Sequence, residues 1–340
     1  MPRKTAQQRR IEQLLAKQSS AIEKAFIQAI AKAKLNVDRA ELLRLLEAGQ
    51  IERAAQLFRI ERGVMFPISE AIRDAFIAGG MAVADDLPKG LSGRFGFNGS
   101  HPRAVNIATE QAARLLTAES ETAMDNARAI IVDGLDTNRG LDSVARDLGG
   151  RKVGKRRVGG VIGLDAQQVQ RQINLRAIVS DPERIGEYFK DAGMKTARYS
   201  EGNRRFDAQV RKAIKDGKAL SAKDVDALVG AYQSKAGGAR AKRVARNEAF
   251  VSQSSGRDEA YQQMMDRPDV ETATVRWQKS PRLEDREDHQ QMDGKTITVG
   301  EMFTLPDGTQ MAHPHDQRGG AKHNANCGCV GIYRVRLKRG

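Results

Sequence analysis

The apolar residues of this chain keep a helical period as far as Pro268 and then lose it, and that break governs what the chain can fold into. Ile11, Leu15, Ile22, Phe26, Ile30 and Ala33 mark one stripe of a first helix. Asp38 and Glu41 form an N-terminal cap ahead of Leu42, Leu43, Leu45 and Leu46, and Gly49 closes that helix. Pro67 is expected to open the next helix, carrying Ile68, Ile72 and Phe76 and ending at Gly79-Gly80. A Gly- and Pro-rich loop over 88–102 precedes a long Ala-rich helix from Arg103 to Val132, with Gly134 behind it. A basic, Gly-rich loop fills 149–163. Helices are then predicted over 165–180, 182–192 and 203–216, the last with Phe206, Val210 and Ile214 in one stripe. Ser221 and Asp224 box the start of a helix holding Val225, Leu228, Val229 and Tyr232, and another runs over 239–265.

After Pro268 the segments 272–277, 296–299 and 330–335 are β-prone and separated by Gly, Pro and Asp. The expected fold class is mainly α: long helical N-terminal and middle regions with a small C-terminal α+β or β-rich unit. The expected divisions are 1–138, 139–267 and 268–340.

Charge is distributed as unevenly as structure. The chain has a net charge of +14, and residues 139–257 carry 26 basic against 13 acidic side chains, a net +13. The densest points are Arg151, Lys152, Lys155, Arg156 and Arg157, and then Arg240, Lys242, Arg243 and Arg246. These nine are the candidate DNA contacts; solvated helix faces are the plainer explanation of such runs. Duplex DNA carries one charge per ~1.7 Å, so +14 offsets only about 24 Å of it: enough for a local grip, not for a packaged genome. Such binding is sequence-nonspecific. Aromatics at 5% argue against a base-stacking reader of single strands. No apolar run approaches a membrane span, and the first residues lack the apolar region of a secretory signal, so no membrane anchor is expected.

Two catalytic motifs fail. Gly149 to Lys155 fits most of a phosphate-binding loop, but Arg156 stands where the magnesium-binding hydroxyl belongs, and a helix rather than a strand precedes it. No GxSxG occurs. A different constellation lies at the C-terminal end. Four of the five histidines (His289, His313, His315, His323) and both cysteines fall after residue 288. His289 with His323-x-x-x-Cys327-x-Cys329 can supply a two-His, two-Cys zinc site, which would offset the small core of a β-rich unit. Asp288 and Asp316 could instead join a harder metal. The plain alternative is that the cysteines are small buried residues and the histidines ordinary polar groups.

The order of these residues carries a resemblance. Trp277, Arg286-x-x-His289-x-x-Met292-Asp293-Gly294-Lys295, Phe303, Pro306-Asp307-Gly308, Met311, Pro314-x-Asp316 and Asn326-Cys327-Gly328-Cys329 resemble the C-terminal signature of the phage Mu F-like minor head protein (phage head morphogenesis) family. The helix Arg243 to Glu248 with Ala260-Tyr261 resembles the family's "IARTE" helix, and Gly140 to Leu148 is similar as well. The likeness covers roughly 139–337 and is densest after 240. Arg282 and Glu284 stand where the family often has an Asp and a further Arg, Cys-Gly-Cys replaces Cys-Arg-Cys, and Asn247-Glu248 replaces Thr-Glu. Arg286, His289, Gly294 and the paired cysteines, with Trp277, remain as the framework.

The resemblance implies a non-catalytic minor virion protein, assembled in the host cytoplasm and housed in the head interior. Its expected partners are the portal protein, other head proteins and double-stranded DNA. The stripe from Ile11 to Ala33 either packs within the chain or meets such a partner. The competing expectation is a metal-dependent nuclease or other DNA-processing enzyme, with His289 as general base beside a metal held by the His/Asp/Cys set. A host DNA-binding accessory protein ranks last, for want of a helix-turn-helix signature.

Overall fold

The computed structural model describes residues 4–189, 199, 203–279 and 286–338. In chain order it comprises helices α1 (Ala6–Asn36), α2 (Arg39–Glu47), α3 (Ile51–Gln56), α4 (Arg62–Met81), α5 (Lys89–Ser92), α6 (Pro102–Asp136) and α7 (Leu141–Gly149), then the hairpin β1 (Arg151–Val153) and β2 (Arg156–Val158). There follow α8 (Ala166–Val179), α9 (Arg204–Lys215), α10 (Ala222–Met265), β3 (Val270–Gln278), α11 (Glu287–Met292), β4 (Thr296–Thr298), β5 (Phe303–Thr304), β6 (Gln310–Met311), α12 (Gly320–Asn324) and β7 (Val330–Leu337). The fold is thus mainly α with a small strand-rich C-terminal region, as the pattern predicts. Among the described residues no helix is long and apolar enough to cross a membrane.

Two compact units are present, each drawn from separated stretches. One joins Met1–Phe26, Phe66–Leu115 and Lys242–Gly340; the other joins Ile27–Met65 and Leu116–Ala241. Positions 138 and 267, where composition changes, lie inside these units rather than at their borders. The α1 stripe is buried, with Ile22 fully so, and therefore packs within the chain rather than offering a partner surface.

In the first unit β3 is the centre of an antiparallel sheet ordered β4-β3-β7. Alternation along β3 sends Ala273, Val275 and Trp277 into the core, where they join Met264, Met292, Phe303 and Tyr333. Tyr333 stacks on Tyr261 at 4.5 Å and its hydroxyl donates to Asp258 at 3.1 Å. Burial and the Asp258 carboxylate push the Tyr333 phenol well above its usual range, so it stays a donor.

Two glycines set how closely helices approach. A Cβ on Gly79 of α4 would meet the Gln253 carbonyl at 2.5 Å, and one on Gly256 of α10 would lie 2.0 Å from the Phe76 carbonyl. Gly79 and Gly80 therefore do not end α4, which continues to Met81; they are inside it because bare backbone is needed there. Replacing Gly256 by Ala should cost about 3 kcal/mol, lowering the melting midpoint by roughly 6–12 °C. Gly63→Ala, with nothing within 4 Å of its Cβ, should leave the midpoint unchanged or slightly raised.

Other expected boundaries also shift. Pro67 lies inside α4 rather than at its start, because burial of Val64 and Met65 extends the helix upstream. The helices expected over 221–232 and 239–265 are one, α10, which runs through Gly237 and Gly238 without a break. Ser221 and Asp224 do pair at its start, at 2.7 Å. On α9 the buried stripe is Phe206, Val210 and Ala213, and Ile214 is exposed. Within 182–192, Ile185–Phe189 is a 3-10 turn and residues from 190 lie outside the described set, as do Arg282 and Glu284.

The 149–163 segment is not a plain loop. Arg151, Lys152 and Val153 pair with Val158, Arg157 and Arg156 across a two-residue turn whose first residue, Gly154, has φ +59°. That is the tight hairpin geometry in which the first turn position favours glycine.

Candidate metal centre

Everything in this site belongs to the first unit, and short-range backbone bonds build it. The Gly294 N–H donates to the Trp277 carbonyl at 2.8 Å and the Trp277 N–H donates to the Lys295 carbonyl at 2.9 Å, tying the end of α11 to β3. Gly294 makes the turn at φ +82°, which a side chain would strain. His289, one turn before it, is thereby set edge-on to Trp277 with ring centres 5.4 Å apart. Arg286 donates to the Ala325 carbonyl at 2.7 Å and so fixes the loop that leads to Cys327. The framework residues Trp277, Arg286, His289 and Gly294 thus converge on one point.

At that point His289 Nδ1 faces both sulfurs, Cys327 Sγ at 3.5 Å and Cys329 Sγ at 3.6 Å. The three residues are buried, and their donor atoms lie within 4.8 Å of one another, a group that could hold a metal ion. Bond lengths of ~2.3 Å to sulfur and ~2.0 Å to nitrogen at a tetrahedral angle place S and N about 3.5 Å apart. The observed separations are those of two edges of such a tetrahedron. The Cys329 N–H donates to Cys327 Sγ at 3.4 Å, a contact that favours a thiolate. Without an ion, the bond to Cys327 and burial hold the Cys329 thiol far above its usual range. Two buried cysteine sulfurs beside an imidazole are a soft, closed donor set suited to zinc.

His323 is not a member of the trio. Its Nδ1 lies 3.2 Å from His289 Nε2, on the far side of the ring from the sulfurs, and the two rings stack at 5.4 Å. Its Nε2 contacts Asp307 at 3.0 Å, and Lys322 pairs with the same carboxylate. Lys322, then the Thr309 N–H and His323, hold Asp307 well below the usual carboxylate range. With His289 Nδ1 turned to the sulfurs, its Nε2–H donates to His323, whose Nε2–H donates to Asp307. His323 corrects from ligand to the outer support of a ligand. Asp288 gathers instead with Asp307 and His323 in a second, half-exposed cluster. Asp316 is engaged elsewhere, accepting the Ala312 N–H at 2.7 Å and the Arg318 N–H at 3.0 Å.

One residue escaped the spacing argument. His315 is 1% exposed, stacks on Phe250 at 4.3 Å, and has φ +67°. Neither ring nitrogen makes a hydrogen bond of normal geometry. Burial, then the charges of His313 and His289, lower its pKa to about 3, while the Cys329 backbone opposes the fall. The only sequence signal was its place among the clustered histidines, one residue before Asp316.

The nine basic candidates separate. Arg151, Lys152, Lys155 and Arg156 are exposed on the β1–β2 hairpin of the second unit. Arg157 is half-buried; it donates to the Val37 carbonyl at 3.3 Å, and burial with the charge of Arg39 lowers its pKa. Arg240 is withdrawn from any phosphate surface. It makes a bidentate bond to Glu119 at 2.6 and 2.7 Å, with 11% and 4% of the two side chains exposed. In the first unit Lys242 and Arg243 are exposed and Arg246 lies over the Phe250 ring at 5.6 Å.

Comparison with family models, with curated proteins and with solved structures yields no match.

Proposed function

We propose that this chain is a minor head protein of a tailed phage. In this reading it is non-catalytic, resides in the head interior and associates with the portal vertex and other head proteins during assembly. The observation that supports it is spatial: the residues that carry the resemblance, spread over Trp277 to Cys329, gather around His289 and the paired sulfurs. In this role His289, Cys327 and Cys329 hold zinc, which crosslinks α11 to the segment before β7 within the core that the strands share with α10. A general base needs a ring nitrogen open to substrate. His289 is 2% exposed, one nitrogen facing the sulfurs and the other His323, and this favours the non-catalytic reading over the nuclease.

The test is quantitative mass spectrometry of purified virions from the phage or induced prophage that encodes the chain. A few copies per head, cross-linked to portal, are expected; absence from virions overturns the reading. Metal-dependent nicking of plasmid DNA that His289→Ala abolishes would restore the nuclease.

Sequence-nonspecific DNA contact is assigned to the hairpin. With Arg151, Lys152, Lys155 and Arg156 all changed to Gln, the slope of log K against log salt should fall by about 3–4, since each phosphate contact contributes ~0.9. An unchanged slope on duplex DNA removes the hairpin from the interface.

A further inference from the structure

We infer that His315 is the fourth protein ligand of the centre made by His289, Cys327 and Cys329; this rests on the metal reading of that trio. A tetrahedral ion held by three buried donors needs a fourth, and in closed structural sites it comes from the protein rather than from water. Two of the other donors nearby, His323 and Asp316, are engaged. His323 lies behind the His289 ring and leans on Asp307. Asp316 is occupied by the N–H groups of Ala312 and Arg318. His313 Nδ1 is bonded to the Pro314 carbonyl at 2.9 Å, which leaves its Nε2 as the rival donor that His313→Ala tests. Among the described residues, His315 alone of the buried histidines has both ring nitrogens unpartnered, in a protein interior where such groups are nearly always satisfied. Its ring adjoins the backbone of Cys329, one of the trio.

The backbone supports the assignment independently. His315 is one of three non-glycine residues with positive φ among the described residues, and a second, Asn326, precedes Cys327. Strained backbone of this kind persists where surrounding structure fixes it, and clusters at ligand sites. Asp316 pins the turn through Ala312 and Arg318, on either side of His315, and Phe250 fixes the plane of the imidazole. The His315 nitrogens lie outside the group of donor atoms within 4.8 Å of one another, so the imidazole is drawn in as the ion binds, completing an N2S2 set. Uptake of the divalent ion releases the two thiol protons to solvent.

Cobalt(II) titration of the full apo chain tests this, because tetrahedral cobalt reports its ligands in the visible spectrum. The wild type should bind one ion with tetrahedral bands and sulfur-to-cobalt charge transfer. His315→Ala should weaken binding by more than ~100-fold, beyond the ~10–100-fold expected for the outer partner in His323→Ala. His315→Cys, which restores a ligand and guards against simple misfolding of the alanine variant, should recover binding with bands shifted to the red and stronger charge transfer. If the wild type binds cobalt but His315→Ala binds equally well, or His315→Cys leaves the spectrum unchanged, His315 is not a ligand and the trio still stands. His315 is likewise ruled out if His313→Ala or His323→Ala causes the larger loss. A wild type that binds neither cobalt nor zinc defeats the metal reading itself.

Discussion

Removing divalent metal from the full chain with a strong chelator should shift the emission of its single tryptophan to the red and abolish the cooperative melting of the strand-rich region. Trp277 is fully buried and edge-on to His289, so its fluorescence reports directly on the centre. Structural zinc contributes on the order of 10 kcal/mol in small domains that have little else. Here Phe303, Met311, Met292 and Tyr333 pack against Trp277 or close by it in one core, so the loss should be smaller, several kcal/mol. Cys327→Ser and Cys329→Ser should each reproduce the chelated state, and zinc should reverse chelation in the wild type only. A preparation free of metal by elemental analysis that melts as high as one loaded with zinc would falsify the crosslink.

The second large effect concerns Arg240. Glu119→Ala should destabilise the second unit by about 3–5 kcal/mol, because it leaves a buried guanidinium without its carboxylate. Arg240→Ala should cost a similar amount. Replacing both by apolar residues of like volume, Arg240→Met with Glu119→Leu, should recover most of the loss, as the desolvation of both charges disappears together. At a temperature where Arg240→Ala remains folded, its salt-dependent retention on DNA should match the wild type; a lower slope would return Arg240 to the interface.

Arg240 also shows where sequence reading stops. A dense run of basic residues identifies a charged helix, but the partner that buries one of them lies 121 positions earlier, and no local pattern encodes that pairing. The helices themselves were legible because burial imposes the 3.6-residue period directly on the chain. Their interruptions were not. Gly79 and Gly80 have the local chemistry of breakers, yet close packing against the Gln253 backbone and the Phe97 ring outweighs a propensity cost of about 1 kcal/mol per glycine. At the metal centre, spacing selected His289, Cys327 and Cys329 and also His323. Spacing cannot tell which ring nitrogen faces the sulfurs, and so it could not place His323 behind His289 or single out His315, buried with both ring nitrogens unpartnered. A left-handed backbone at a non-glycine residue has no signature in composition.

The interleaving of the two units has a consequence for synthesis on the ribosome. Folding generally proceeds from the N-terminus as each domain emerges, but the first unit needs Met1–Phe26 and Lys242–Gly340 together. Until the second of these is made, Ile11, Leu15 and Ile22 have only Phe66–Leu115 of their own unit to pack against. At ~5–20 residues per second that interval lasts roughly 10–50 s, long enough for a holdase to bind. A chain stalled before Lys242 would carry a first helix only partly covered, prone to aggregate and open to proteolysis. Synthesis of the cysteine-bearing segment thus completes the unit that its first helix began.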